Sequence, residues 1–167
     1  KLMMDPNADP FAAAPETAAA PAKFGASDVQ DLNWVQLLNA YTCTECGRCT
    51  SSCPANQTGK KLSPRKIMMD TRDRLEEVGK NIDANKGIFI PDYKSLLNDY
   101  ITPEELWACT SCNACVEECP VSISPLSIIM DMRRYLVMEQ SAAPMALNSM
   151  MTNIENNGAP WQYSQQD

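Results

Sequence analysis

An all-α fold is what this sequence predicts, and three observations predict it. No stretch alternates apolar and polar residues at period two for long, so a half-buried strand has no candidate. Four segments open on helix start signals, Ser27-Asp28, Ser63-Pro64, Thr102-Pro103 and Ser124-Pro125, each ahead of apolar residues at helical spacing. The chain also repeats itself. Each half reads as helix, four cysteines and a proline, loop, Ser-Pro, then a helix rich in Met, Ile and Arg, and corresponding cysteines lie 66 residues apart. A pseudo-twofold duplication of helices follows.

The elements are expected in this order. Residues 1–26 form a linker, because repeated Pro breaks any long helix and runs such as Ala12-Ala13-Ala14-Pro15 offer little to bury. Ser27 or Asp28 caps a helix through Leu32, Val35, Leu37 and Leu38 that stops before Cys43. Ser63-Pro64 starts a helix through Ile67, Met68, Thr71, Leu75 and Val78, with Gly79 as its terminating residue. A loop over 80–92 carries Ile88-Phe89-Ile90-Pro91 as an apolar clip against the core, and a short helix covers 93–100. Thr102-Pro103-Glu104-Glu105 caps the helix that delivers Trp107 and Cys109. Ser124-Pro125 opens a helix with Leu126, Ile129, Met130, Leu136 and Val137. A last helix lies near Met145 to Ile154, ended by Asn156-Asn157-Gly158. The expected divisions are the linker, a helical domain over 27–158, and a tail over 159–167.

With 167 residues there is room for one core plus tails. The balance of 14 basic to 21 acidic residues gives a net charge of −7. Such a chain does not suit a phosphate backbone, which needs a basic patch, and a basic face on a partner protein fits better. No apolar run approaches a membrane span and no signal peptide is visible, so a cytoplasmic setting is expected. The opening at Lys1 rather than methionine reads as a piece of something longer. In a reducing compartment eight cysteines are metal ligands rather than disulfides.

The two motifs are Cys43-Thr-Glu-Cys46-Gly-Arg-Cys49-Thr-Ser-Ser-Cys53-Pro54 and Cys109-Thr-Ser-Cys112-Asn-Ala-Cys115-Val-Glu-Glu-Cys119-Pro120. Three cysteines spaced by three wrap one face of an iron–sulfur cube in a tight turn. The fourth, followed by proline, leaves in another direction and in two-cluster proteins ligates the other cluster. Two [4Fe–4S] clusters are therefore expected, one on Cys43, Cys46, Cys49 and Cys119, the other on Cys109, Cys112, Cys115 and Cys53. Two such cubes with their thiolates would add roughly −4 to the charge. Structural zinc is the rival, but its Cys₄ sites come as separated C-x₂-C pairs. Histidine is absent, which removes Rieske ligation and any His-based acid–base chemistry.

The remaining features read as ordinary. Met68, Met69, Met130 and Met132 are expected as adaptable core filler. Arg48, Arg72, Arg74, Arg133 and Arg134 either tune the clusters or dock a partner, with solvated helix faces the commoner reading. Gly47 sits where backbone approaches the cube, and its counterpart Asn113 also tolerates left-handed geometry. Trp107 shields a cluster or is a plain core aromatic.

On these residues the chain resembles the α-helical ferredoxin domain of heterodisulfide reductase-like (Fe–S)-binding oxidoreductases. That domain also occurs in the C-terminal half of fumarate reductase and succinate dehydrogenase iron–sulfur subunits. The likeness covers roughly residues 32 to 161, and Ala159 departs from the Gly-Asn-Pro that relatives often carry. It implies an electron relay within a larger oxidoreductase, partnered by other redox domains or subunits, with a membrane-embedded portion among them. The cytoplasmic face of a membrane, reached through an N-terminal part or a partner subunit, is the implied location. No residue is a credible catalytic acid, base or nucleophile, since every cysteine is engaged on iron. A structural or redox-sensing module, or a free-standing two-cluster ferredoxin, are the alternatives.

Overall fold

The computed structural model describes residues 23–163, and the first 22 residues of the expected linker lie outside them. Its regular structure is helical: α1 Trp34–Thr42, α2 Arg48–Ser51, α3 Pro54–Gln57, α4 Pro64–Ala84, α5 Pro103–Ala108, α6 Ala114–Glu117, α7 Pro125–Met138 and α8 Met145–Asn157. The long helices α4 and α7 follow the two cysteine motifs and pack on each other, while α1 lies along α4 and α5 against α7. The short helices α2 and α6, one from each motif, meet in the middle. That meeting is the pseudo-twofold centre of the duplication. Ile67, Met68, Leu106, Ile128, Ile129 and Met132 form the core between the halves, each at most 1% exposed.

The local signals explain the elements where they are self-contained. Ser63, Thr102 and Ser124 each accept a hydrogen bond from the backbone N–H three residues on, with proline in the first turn of the helix. Gly158 ends α8 in the left-handed region.

Four expectations need correction. The first helix is not continuous from Ser27. Asp28 caps a single 3₁₀ turn, Val29–Asp31, Leu32 turns extended, and Asn33 caps α1 afresh in a reciprocal pairing with Gln36. Gly79 does not stop α4, which runs five residues further because Ile82 continues the apolar stripe behind buried Val78. The chain leaves at Asn85, and Gly87, at φ 91°, donates back to the Ile82 carbonyl. No regular helix forms over 93–100, since Leu97 is extended and Asn98 left-handed (φ 78°). Here Leu96 and Leu97 are both buried, and the Leu97 N–H donates to the Ser27 carbonyl instead of its own turn. The clip is only partial: Phe89 packs on the core, but Ile88 and Ile90 are exposed.

Packing starts a little before residue 27. Ala26 donates to the Asp131 carbonyl on α7, and Phe24 N–H donates to the Glu139 carboxylate. Gly25, at φ 78°, passes so close that a Cβ there would lie 2.3 Å from the Asp131 carbonyl oxygen.

Arginine 74 also departs from expectation. It is fully buried rather than solvated, and it donates to Asp28, to Asp92 and to the Lys94 carbonyl. These contacts raise its pKa above the ordinary arginine value and hold Asp92 down at about 2. The network ties the 3₁₀ turn and the 92–100 segment to α4.

Candidate metal centre

Each motif is built the same way. Glu45 and Gly47 take left-handed backbone at φ 57° and 81°, and their counterparts Ser111 and Asn113 do so at 56° and 63°. The alternation of left-handed and ordinary residues coils the chain, and in the first motif it brings Cys43, Cys46 and Cys49 to one cavity. Gly47 and Asn113 then stand at the N-termini of α2 and α6, each of which carries the third cysteine in its first turn. The fourth cysteine, Cys53 or Cys119, follows the end of that short helix and precedes a proline. Left-handed geometry at Gly47 and Asn113 was legible from residue type. At Glu45 and Ser111 the signal was only their place two residues before those positions in each copy.

The structure brings Cys43, Cys46, Cys49, Cys115 and Cys119 to one cavity, with Met68 and Ile123 in its apolar wall. Cys119 thus faces the three cysteines of the opposite motif. Its sulfur accepts a hydrogen bond from Ile123 N–H, and that of Cys109 from Ser111 N–H. Cys115 lies at the junction of the two motifs. Burial pushes its thiol up to about 11, and neighbouring Cys109, Cys49 and Cys53 add to the rise. Burial likewise raises Cys49. Exposed Cys112 is lowered by the Ala114 backbone N–H. Buried thiols of this kind ionise only when a metal takes the thiolate, so loading releases protons.

The dimensions fit a cluster rather than an ion. Among the described residues no three His, Cys, Asp or Glu side chains converge tightly enough for one metal ion. A tetrahedral zinc, with Zn–S of about 2.3 Å, would need its sulfurs nearly touching. A cube with iron at each corner holds four thiolates apart around a shared space, and the cysteines lining this cavity suit that arrangement.

Two arginines hold equivalent loops. Arg72 of α4 pairs with the Glu45 carboxylate in the first motif. Arg133 of α7 donates to the Leu106 and Cys109 carbonyls and to Ser111 Oγ, with its guanidinium 5.0 Å from the centre of the Trp107 ring. Trp107 is therefore partly buried under a cation. Met68 and Met132 fill the core as expected, whereas Met130 is 42% exposed.

Residues 42–123 match the family of 4Fe-4S dicluster domains. The chain therefore contains a 4Fe-4S dicluster domain. It holds two [4Fe–4S] clusters, in an α-helical ferredoxin fold. The chain is similar to the probable iron-sulfur-binding oxidoreductase FadF of Bacillus subtilis, 36% identical over 83% of this chain and 24% of that protein. An EtfAB:quinone oxidoreductase of Syntrophomonas wolfei is 35% identical over 83% of this chain and 22% of that protein. A subunit of the ferredoxin/F420H2-dependent CoB-CoM heterodisulfide reductase of Methanosarcina acetivorans is 32% identical over 64% of this chain and 52% of that subunit. The dicluster chain thus spans about a quarter of the first two relatives and half of the third. Among the described residues, no helix is long and apolar enough to cross a membrane.

Proposed function

We propose that this dicluster chain is the electron relay of a larger oxidoreductase, its clusters ligated crosswise: Cys43, Cys46, Cys49 and Cys119 hold the first, Cys109, Cys112, Cys115 and Cys53 the second. The single observation behind the crosswise sets is that Cys119 lines the cavity of the opposite motif. When bound, each cluster supplies one-electron chemistry with no proton requirement. The protein's own residues ligate, exclude water and set local charge. Met68 and Ile123 wall the first cavity from solvent, and the contact of α2 with α6 keeps the two sites adjacent. Substrate conversion belongs to another domain or subunit. The residues 1–26 are read as a linker to it, and 159–167 as a tail.

The donor and acceptor are other redox domains or subunits of the parent protein. A quinone, named for the Syntrophomonas relative, would place that parent at a membrane, with this chain on the cytoplasmic side. The test of the ligand sets is Cys119→Ala beside Cys53→Ala, read by iron and sulfide content and by EPR of the reduced protein. Each variant is expected to spare the cluster on its own motif's three cysteines and damage the opposite one. Loss of the same-motif cluster instead would overturn the crosswise assignment. The relay reading requires rapid reversible reduction of both clusters by a partner, and clusters that stay oxidised under every physiological reductant would sink it.

A further inference from the structure

The two halves are alike in backbone but not in how the charges at their loops are paired. At equivalent loop positions the first motif has Glu45 and the second Ser111. Arg72, which reaches the first loop, is neutralised by Glu45, and that contact raises its pKa. Arg133, which reaches the second loop, has no carboxylate partner among the described residues. All its hydrogen bonds there go to carbonyls and a hydroxyl, its face lies on Trp107, and burial lowers its pKa. Its nearest acid along α7, Asp131, is taken up by Arg134 and Gln36. The other charges around the motifs, Arg48 and cavity-lining Arg65 at the first, Glu117 and Glu118 at the second, are exposed and screened by water and salt. The partly buried charge without a carboxylate partner is therefore Arg133, one carbonyl away from Cys109.

We propose that Arg133 is a positioning residue that holds the cluster of the second motif at a higher reduction potential than that of the first, giving the relay a direction from first to second. The argument rests on the ligand sets proposed above. A fixed positive charge stabilises the extra electron of the reduced state, and partial burial strengthens that effect. The exchange moves one electron and no atom: what is lost at the first motif is gained at the second. The hydrogen bonds of Arg133 to Leu106 and Cys109 aim the charge, and Trp107 lies against its face.

The experiment is a mediated redox titration of the cluster-loaded protein followed by EPR, on the native chain and on R133Q, R133K, S111E and E45Q. In the native chain two one-electron waves are expected at separated potentials. R133Q should lower the higher wave by at least tenfold in its reduction equilibrium, about 59 mV for one electron. It should leave the lower wave in place. R133K keeps the charge and should hold most of the gap. S111E leaves Arg133 intact but gives it the carboxylate that Arg72 has, so it should lower the same wave even if R133Q loads poorly. E45Q frees Arg72 and should raise the lower wave. If R133Q and R133K shift the potential equally, packing rather than charge is at work and the proposal fails. It also fails if S111E leaves the gap unchanged. A protein with one cluster, or with zinc, overturns the ligand sets and the proposal together, whereas two clusters with an unmoved gap overturn the proposal alone.

Discussion

Replacing Arg74 by methionine keeps an unbranched apolar stem and deletes the guanidinium, its charge and its hydrogen-bond donors together. Arg74 is 0% exposed and its guanidinium satisfies Asp28, Asp92 and the Lys94 carbonyl at 2.5 to 3.0 Å. Removing one partner of a buried ion pair costs about 3–5 kcal/mol, because the remaining charges are left uncompensated. Asp28 and Asp92 keep side-chain exposures of 17% and 26%, so water relieves part of that cost and the low end, about 3 kcal/mol, applies. With an m-value of about 1.5 kcal/mol/M in urea, the midpoint should fall by about 2 M. Urea unfolding at pH 7, followed by circular dichroism, reads it directly. Cluster absorbance in the native baseline should be unchanged, since Arg74 lies six residues beyond cavity-lining Met68, about 9 Å along the helix. The decisive variant is the triple R74M/D28N/D92N. If the cost is uncompensated charge, neutralising both carboxylates restores much of the stability. A triple variant less stable than R74M alone would refute that reasoning.

Further expectations follow from other contacts. Gly25→Ala forces a Cβ to 2.3 and 2.4 Å from α7 backbone atoms at positive φ, so residues 23–27 should lift off and Ala26 should exchange its amide proton at least tenfold faster. Unchanged exchange would show that the close approach is not enforced. Ser63→Ala removes the cap of α4 and the bond to Thr50 of α2, and should cost about 1 kcal/mol and speed cluster loss. Cluster loss at the native rate would mean that cap does not brace the first motif. Burial and the Glu77 carboxylate push Tyr100 up to about 12. The folded state then holds that proton more tightly than the unfolded chain, so its stabilisation is complete below about pH 10 and is lost as pH rises through 12. Tyr100→Phe should flatten stability between pH 10 and 12, and an unaltered profile there would contradict the assignment.

What could be read in the sequence was local. The cysteine spacing, the prolines after Cys53 and Cys119, and the caps Ser63, Thr102 and Ser124 depend on neighbours within four residues, and all three caps are in place. The broken first helix was harder, because Asn33 competes with Asp28 as a cap and only burial of Leu32 decides between them. Arg74 and Arg133 were misread for a related reason. Nothing near Arg74 announces Asp28, 46 residues earlier, and nothing near Arg133 announces the Leu106 carbonyl 27 residues back. Gly79 misled because glycine permits a helix end without requiring one, and Ile82 outweighs it.

The position of Cys119 in the first motif's cavity has a consequence for biogenesis. Cys119 lies 70 residues after Cys49, so a ribosome adding about 5–20 residues per second needs roughly 3.5–14 s to supply it. Throughout that interval the first three thiols are translated but their cavity has no fourth wall. Whatever delivers iron and sulfide must wait for the second half to emerge or hold the site open meanwhile. With the crosswise ligation proposed above, loading becomes a late event in the life of the chain.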